Sequence, residues 1–172
     1  MAAVPFRACG RGSVPRFLSI GMLALLVGSA CVQEPTVPRL GDQIVQVSVA
    51  SSRILLRAGD VDTLTVTVRN TLGEPVQLVF PTLCTVRVFI RDAQGKVQVP
   101  EGGVHDCPAI QALLVIPANG QLTQEFYWAG GSGLDGSPPA TLLPAGNYYA
   151  SVRLDAEGYS TVGFPVLITL TD

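Results

Sequence analysis

Few residues in this 172-residue chain have the types that chemistry needs, and their spacing argues against most of it. His105, Asp106 and Cys107 stand in a row and offer the parts of a thiol nucleophile with its base. On an extended chain, adjacent side chains point to opposite faces, so the three do not converge. Cys107 can also pair with Cys84, and a disulfide sulfur is no nucleophile. His105 is the chain's one histidine, and the spaced Cys/His pairs of a zinc site are missing around it. Asp60 and Asp62, with Asp42 more distant, could be imagined as a calcium loop, but Gly59-Asp60 reads better as an ordinary turn before a strand. Gly130-Gly131-Ser132-Gly133 lacks the lysine and following helix of a phosphate-binding loop, and no nucleophile-elbow or dinucleotide glycine pattern occurs. The expectation is a non-enzymatic protein with no catalytic residue, cofactor or metal.

The elements that carry these residues repeat with a period of two. Ile44, Val45, Val47 and Val49 open the pattern. Leu64, Val66 and Val68 then alternate with Thr63, Thr65, Thr67 and Arg69, which reads as a half-buried strand. The signal returns in Val76 to Phe80, Val86 to Ile90, Leu122 to Trp128, Tyr148 to Leu154 and Phe164 to Leu170. Breakers fall between the runs. Asn70 to Glu74 makes a turn before Pro75, and Asp92-Ala93-Gln94-Gly95 fits a hairpin loop with Gly95 in the left-handed region. Gly130 to Pro139 reads as a long surface loop. No segment has ten or more residues of helical spacing with a cap; the nearest, Ala109 to Val115, is short and follows Pro108. The fold class predicted is all-β, an immunoglobulin-like antiparallel β-sandwich of seven to eight strands over residues 43–172. In Leu143 to Tyr148, a tyrosine two residues after a turn glycine fits a tyrosine corner, its hydroxyl returning to backbone.

The N-terminus carries an address. Arg7, Arg11 and Arg16 precede the apolar run Leu18 to Gly28, which ends in the small residues Gly28, Ser29 and Ala30. That is the order of a secretory signal, over residues 1–30, and the run is short for a bilayer span. Cys31, directly after the small residues, resembles the lipidated cysteine of bacterial lipoproteins. Ser29 and Ala30 fit that pattern, while Gly28 sits where leucine is usual. The alternatives are an uncleaved anchor or an ordinary signal with Cys31 free. The resemblance implies lipid attachment to a membrane. Residues 31–42, with Pro35, Pro38 and Gly41, read as a tether. Val32 is not the aspartate that retains lipoproteins at the inner membrane of diderm bacteria, which favours the outer membrane.

Loss of the leader removes three arginines and no acids, leaving 8 basic against 13 acidic residues, a net of −5. Such a surface does not attract nucleic acid, which needs clustered Lys and Arg. The oxidising compartment favours a Cys84–Cys107 disulfide over two buried thiols. Such a pair would close a loop of about two dozen residues and contribute roughly 3 kcal/mol.

Exposed aromatics are the remaining signal for binding. Phe126, Tyr127 and Trp128 are consecutive; Phe126 and Trp128 share a face and are expected inside, with Tyr127 outside. Tyr159 lies in a turn near Gly158. Tyr127, Tyr159 and Leu134, the evident apolar residue of the long loop, form the candidate partner surface.

The succession Leu64 to Asn70, Glu74 to Phe80, Val86 to Gly95, Ile110 to Leu113, Phe126 to Trp128 and Leu143 to Tyr148 resembles the BsuPI-type proteinase inhibitor domain over about residues 60–155. The resemblance implies an immunoglobulin-like sandwich and inhibition of an intracellular serine protease. Export and the Cys84, Cys107 pair depart from that, and no inhibitory residue carries over. The function expected is therefore a lipid-anchored envelope module that meets an envelope protein by contact, a protease being one candidate. Its alternatives are a BsuPI-type inhibitor and a carbohydrate-binding or accessory domain, the latter disfavoured by the low aromatic content of 6%.

Overall fold

A computed structural model describes residues 44–134 and 141–172. The segments expected to be a leader and a tether, with Cys31 between them, lie outside the described residues. Eleven strands run in order: β1 (Val45–Ser51), β2 (Leu55–Arg57), β3 (Asp62–Asn70), β4 (Val76–Phe80), β5 (Arg87–Asp92), β6 (Val97–Val99), β7 (Ala112–Ile116), β8 (Gln121–Trp128), β9 (Gly146–Ala156), β10 (Tyr159–Val162) and β11 (Val166–Thr171). The surplus over the expected seven to eight comes from β2, β6, β7 and β10, each five residues or fewer. So short a run shows too little alternation to be legible.

The strands form three sheets, ordered β1-β3-β8, β2-β11-β9-β5-β6 with β10 also on β9, and β4-β7. Pairing is antiparallel throughout except for β2, which lies parallel to β11. All three sheets feed one core. Leu64, Val66 and Val68 of β3 meet Ala150, Val152 and Leu154 of β9, Val88 and Ile90 of β5, Ile168 and Leu170 of β11, and Val76, Leu78 and Phe80 of β4. Threonines 63, 65 and 67 alternate with the β3 set and are half-buried on its other face. Each fully buried aliphatic side chain contributes roughly 1.5–3 kcal/mol, and the alternation places them without a polar residue between.

Ala112–Ile116 is extended and pairs with β4 from Val76↔Ile116 to Phe80↔Ala112. The run Ala-Leu-Leu-Val-Ile carries no alternation of type, and pairing with Val76–Phe80 made it a strand. At the other end of the sheets, Phe164 is 92% exposed and belongs to the connection between β10 and β11, not to β11 as the sequence pattern predicts. Gly163 beside it is required by close approach: a Cβ there would lie 2.7 Å from both Val152 Cγ1 and the Val47 carbonyl oxygen.

Three polar groups fix the corners. The Tyr148 hydroxyl donates to the Pro144 carbonyl at 2.8 Å, the corner anticipated from Leu143 to Tyr148, and its ring meets Trp128 edge-on at 5.8 Å. This contact and the shared core give the molecule its resemblance to an immunoglobulin-like sandwich. Asn70 is fully buried; its amide nitrogen reaches the carbonyls of Glu74 and Pro117, and its oxygen accepts from the Leu72 N–H. One side chain thereby closes the β3–β4 turn against the end of β7. Asp62 is the third, and it stands where a calcium loop could be imagined. Its Oδ2 accepts from the Ser51 hydroxyl at 2.6 Å, and its Oδ1 from the Ser52 hydroxyl at 2.6 Å and the Arg53 N–H at 3.1 Å. The carboxylate is saturated by the chain's own donors and knots the bend after β1.

Candidate functional site: a groove between two sheet edges

The disulfide expected from the sequence is present: Cys84 and Cys107 are joined, their Cα atoms 5.6 Å apart. It pins the loop after β6 to the segment before β5, and the Leu83 N–H donates to the Pro108 carbonyl alongside at 3.1 Å. The pinned loop brings His105 onto β5. Its Nε2 lies 2.9 Å from the Val88 carbonyl, an acceptor, so that nitrogen carries the proton. The ring stands edge-on against Phe89, with centroids 4.9 Å apart. Burial lowers the His105 pKa, the Val88 hydrogen bond opposes this, and the nearby Arg87 charge adds to the lowering. The imidazole therefore replaces a missing strand partner where β6 has departed from β5, and it is a neutral structural group.

Along this side lies a groove of about 580 Å³. One wall is Val99, Pro100, His105 and Asp106; the other is residues 124–127 of β8, and Ser132 to Leu134 complete it. Phe126 is half-buried, Trp128 is fully buried and Tyr127 is 43% exposed, as the alternation predicts. Gln124, on the same side of β8 as Phe126 and Trp128, is nevertheless exposed, and it lines the groove.

The turn after β8 is built by Trp128 and glycine. Trp128 Nε1 donates to the Gly131 carbonyl at 2.8 Å. Gly130 has φ +73°, and a Cβ there would lie 2.8 Å from Leu170 Cδ1, so both conformation and space require glycine. The chain then turns back, the Leu134 carbonyl accepts from the Tyr127 N–H at 3.2 Å, and the Leu134 side chain packs half-buried against the core. Leu134 is thus part of the groove rather than a protruding anchor. Residues 135–139 of the predicted loop lie outside the described residues.

Tyr159 requires a correction. It is 4% exposed, and its hydroxyl donates to the Val45 carbonyl at 2.9 Å and lies 3.2 Å from the Val45 N–H. The proximity of Gly158 suggested an exposed turn, but β10 folds back on β9 and turns the ring under β1. Tyr127 and Leu134 share the groove; Tyr159 is a core residue that holds the first strand.

Sequence reasoning did not pick out the groove's acids as a binding feature: Glu125, whose Oε2 accepts from the Tyr127 hydroxyl at 3.0 Å, and Asp106, which figures there only beside Cys107. The hydrogen bond to Glu125 and its charge raise the Tyr127 pKa, so the phenol is neutral. Among the described residues, neither carboxylate has a basic partner. Asp155, by contrast, accepts from Ser160 and Arg153 and contacts Arg87. Burial opposes ionisation of Asp155, but the Ser160 and Arg153 hydrogen bonds and the two arginine charges outweigh it and lower its pKa.

No family model matches the chain, and no curated protein matches it. Among solved structures, it is similar to the CARDB domain of the PF1109 protein from Pyrococcus furiosus, with 13% identity, 78% of this chain and 93% of that chain covered, and a TM-score of 0.46. It is also similar to the β-glucosidase EmGH1 from Erythrobacter marinus (16% identity, 74% of this chain, TM-score 0.45) and to a β-glucosidase from Listeria innocua (10%, 74%, 0.43). The chain spans only 15% and 16% of those two enzymes. Likeness at this level says nothing of what the chain binds or does.

Proposed function

We propose that the protein is a non-enzymatic, lipid-anchored envelope module, an immunoglobulin-like sandwich that acts by protein contact through the groove between β8 and the disulfide-pinned loop. The observation that carries the reading is the groove itself, where half-buried Phe126 and Leu134 lie beside exposed Tyr127, between an unpaired strand edge and a covalently fixed wall. Tyrosine on such a rim suits protein recognition, with an apolar body and a polar tip. Groups that could have been chemical are committed: Cys107 to its disulfide, His105 to Val88 and Phe89, Asp62 to three donors. The anchor rests on the leader and on Cys31, and the outer membrane is the expected site because Val32 follows the cysteine.

Two measurements test this. Processing blocked by globomycin, with palmitate labelling lost on Cys31→Ser, is expected for the anchor; labelling that survives the substitution would reject it. A photo-crosslinking amino acid in place of Tyr127 is expected to trap one defined envelope protein in cells, and the same group in place of Tyr149, on the outer face of β9, is not. Equal trapping from both positions would reject the groove as the contact surface.

A further inference from the structure

We infer that the groove takes an extended peptide segment of the partner, added to β8 as a further strand, with a lysine or arginine side chain held between Glu125 and Asp106. The inference rests on the contact reading above and specifies its mode and chemistry.

The backbone supplies the first argument. In an antiparallel ladder, alternate residues direct their N–H and C=O groups to opposite sides of the strand. The Tyr127 N–H points away from β3 to Leu134, so Glu125 and Thr123 present their backbone groups on that same outer side. The register agrees on the far side of β3, where the Thr63 carbonyl accepts from the Ser52 N–H rather than from β8. Among the described residues, β8 pairs with β3 alone. Among the described residues, the backbone groups of Thr123 and Glu125 have no strand partner on that outer side, next to the Tyr127 to Leu134 hydrogen bond.

The second argument is the lack of protection. Exposed edges are ordinarily blunted by lysine, proline or a bulge. The β6 side has Lys96 before the strand and Pro100 after it, and a register shift between Ile90 and Arg91 on its partner. Gln121–Trp128 has no lysine, proline or register shift. Its one charge is Glu125, and among the described residues the chain covers the edge only where Leu134 meets Tyr127.

The third argument is charge. Glu125 and Asp106 stand on opposite walls without a cation, and His105 beside them is neutral. An incoming basic side chain would find two carboxylates in the groove lining, one of them on the same face of β8 as Tyr127. A second copy of this chain is disfavoured, since pairing two β8 edges would crowd four carboxylates together.

The test uses the full-length protein and a fluorescent seven-residue peptide of alternating valine and threonine with a central lysine. Saturable binding is expected, with slowed amide exchange at Thr123 and Glu125. A glutamate-centred peptide is expected to bind at least about tenfold more weakly, and the joint substitution of Glu125→Gln and Asp106→Asn to weaken the lysine peptide by about tenfold with thermal stability unchanged. N-methylation of the peptide's pairing amides is expected to abolish binding. Equal affinity for the lysine and glutamate peptides, indifference to N-methylation, absence of saturation at millimolar peptide, or self-association through β8 would each overturn the inference. Crosslinks at Tyr127 that persist while the peptide fails would reject strand addition and leave the contact reading standing. Loss of both would reject both.

Discussion

Asp62 and the pair Glu125, Asp106 are carboxylates in opposite situations within one small domain. Asp62 is fully buried with its oxygens occupied by two hydroxyls and a backbone amide. Glu125 and Asp106 are exposed on a groove, with one phenol between them as a donor. The difference teaches how to read acidic residues when none of them gathers into a possible metal-ligand group among the described residues. A carboxylate saturated by its own chain holds the fold, and one left unsatisfied beside an open strand edge is available to something outside it. Ion pairs on the outer sheet face fall on the structural side, because Asp155 is fully engaged by Ser160, Arg153 and Arg87.

This contrast can be broken by substitution. Asp62→Ala leaves the Ser51 and Ser52 hydroxyls and the Arg53 N–H without their acceptor, and a loss of about 4 kcal/mol is expected in urea unfolding. A loss below about 1 kcal/mol would show that the bend after β1 does not depend on the carboxylate. Replacing Cys84 and Cys107 together by serine is expected to cost about 3 kcal/mol in the chain-entropy picture and to speed amide exchange in the loop that carries Asp106. Retained protection there would mean that His105 and the Leu83 to Pro108 hydrogen bond suffice to hold the groove wall.

Acid titration sharpens the comparison at smaller amplitude. The folded-state pKa of His105 is lowered, so the unfolded chain takes up its proton first. Stability is full above about pH 6.5, declines below it, and levels off once the folded ring is also protonated. Asp155 has a lowered pKa as well, and its contribution is present above the unfolded value of about 4 and lost as pH falls through the lower folded value. His105→Gln should remove the first decline and keep the second; two declines in the variant would show that another group is responsible for the first. The smallest effect is expected at the groove. Glu125→Gln and Asp106→Asn should each change stability by less than about 0.5 kcal/mol, since neither carboxylate is paired with a cation or buried. A larger destabilisation would move them into the structural class with Asp62.

Much of the fold was legible because alternation is a local property. Leu64, Val66 and Val68 against Thr63, Thr65 and Thr67 gave β3 its buried and solvent-side faces directly, and Leu143 to Tyr148 gave the corner hydrogen bond. The disulfide followed from cysteine count and compartment. Of the groove, Tyr127 was legible from its place between Phe126 and Trp128, whereas Glu125 and Asp106 were not. One comes from β8 and the other from a loop after β6, and no pattern along the chain links them. Tyr159 misled for a related reason: a turn glycine beside an aromatic suggests exposure, but the ring's burial depends on Val45, 114 residues away.

The sequence by itself determined that the chain forms pleated strands with one apolar face each, and where turns interrupt them. Side-chain type with a period of two carries that information within five or six residues. Tertiary structure alone decided which strand edges find partners and which stay open, and which acids find donors. Those outcomes depend on pairings between segments far apart in the chain. Among the described residues, the unpaired outer edge of β8 and the meeting of Glu125 with Asp106 at one groove are the product of such pairings.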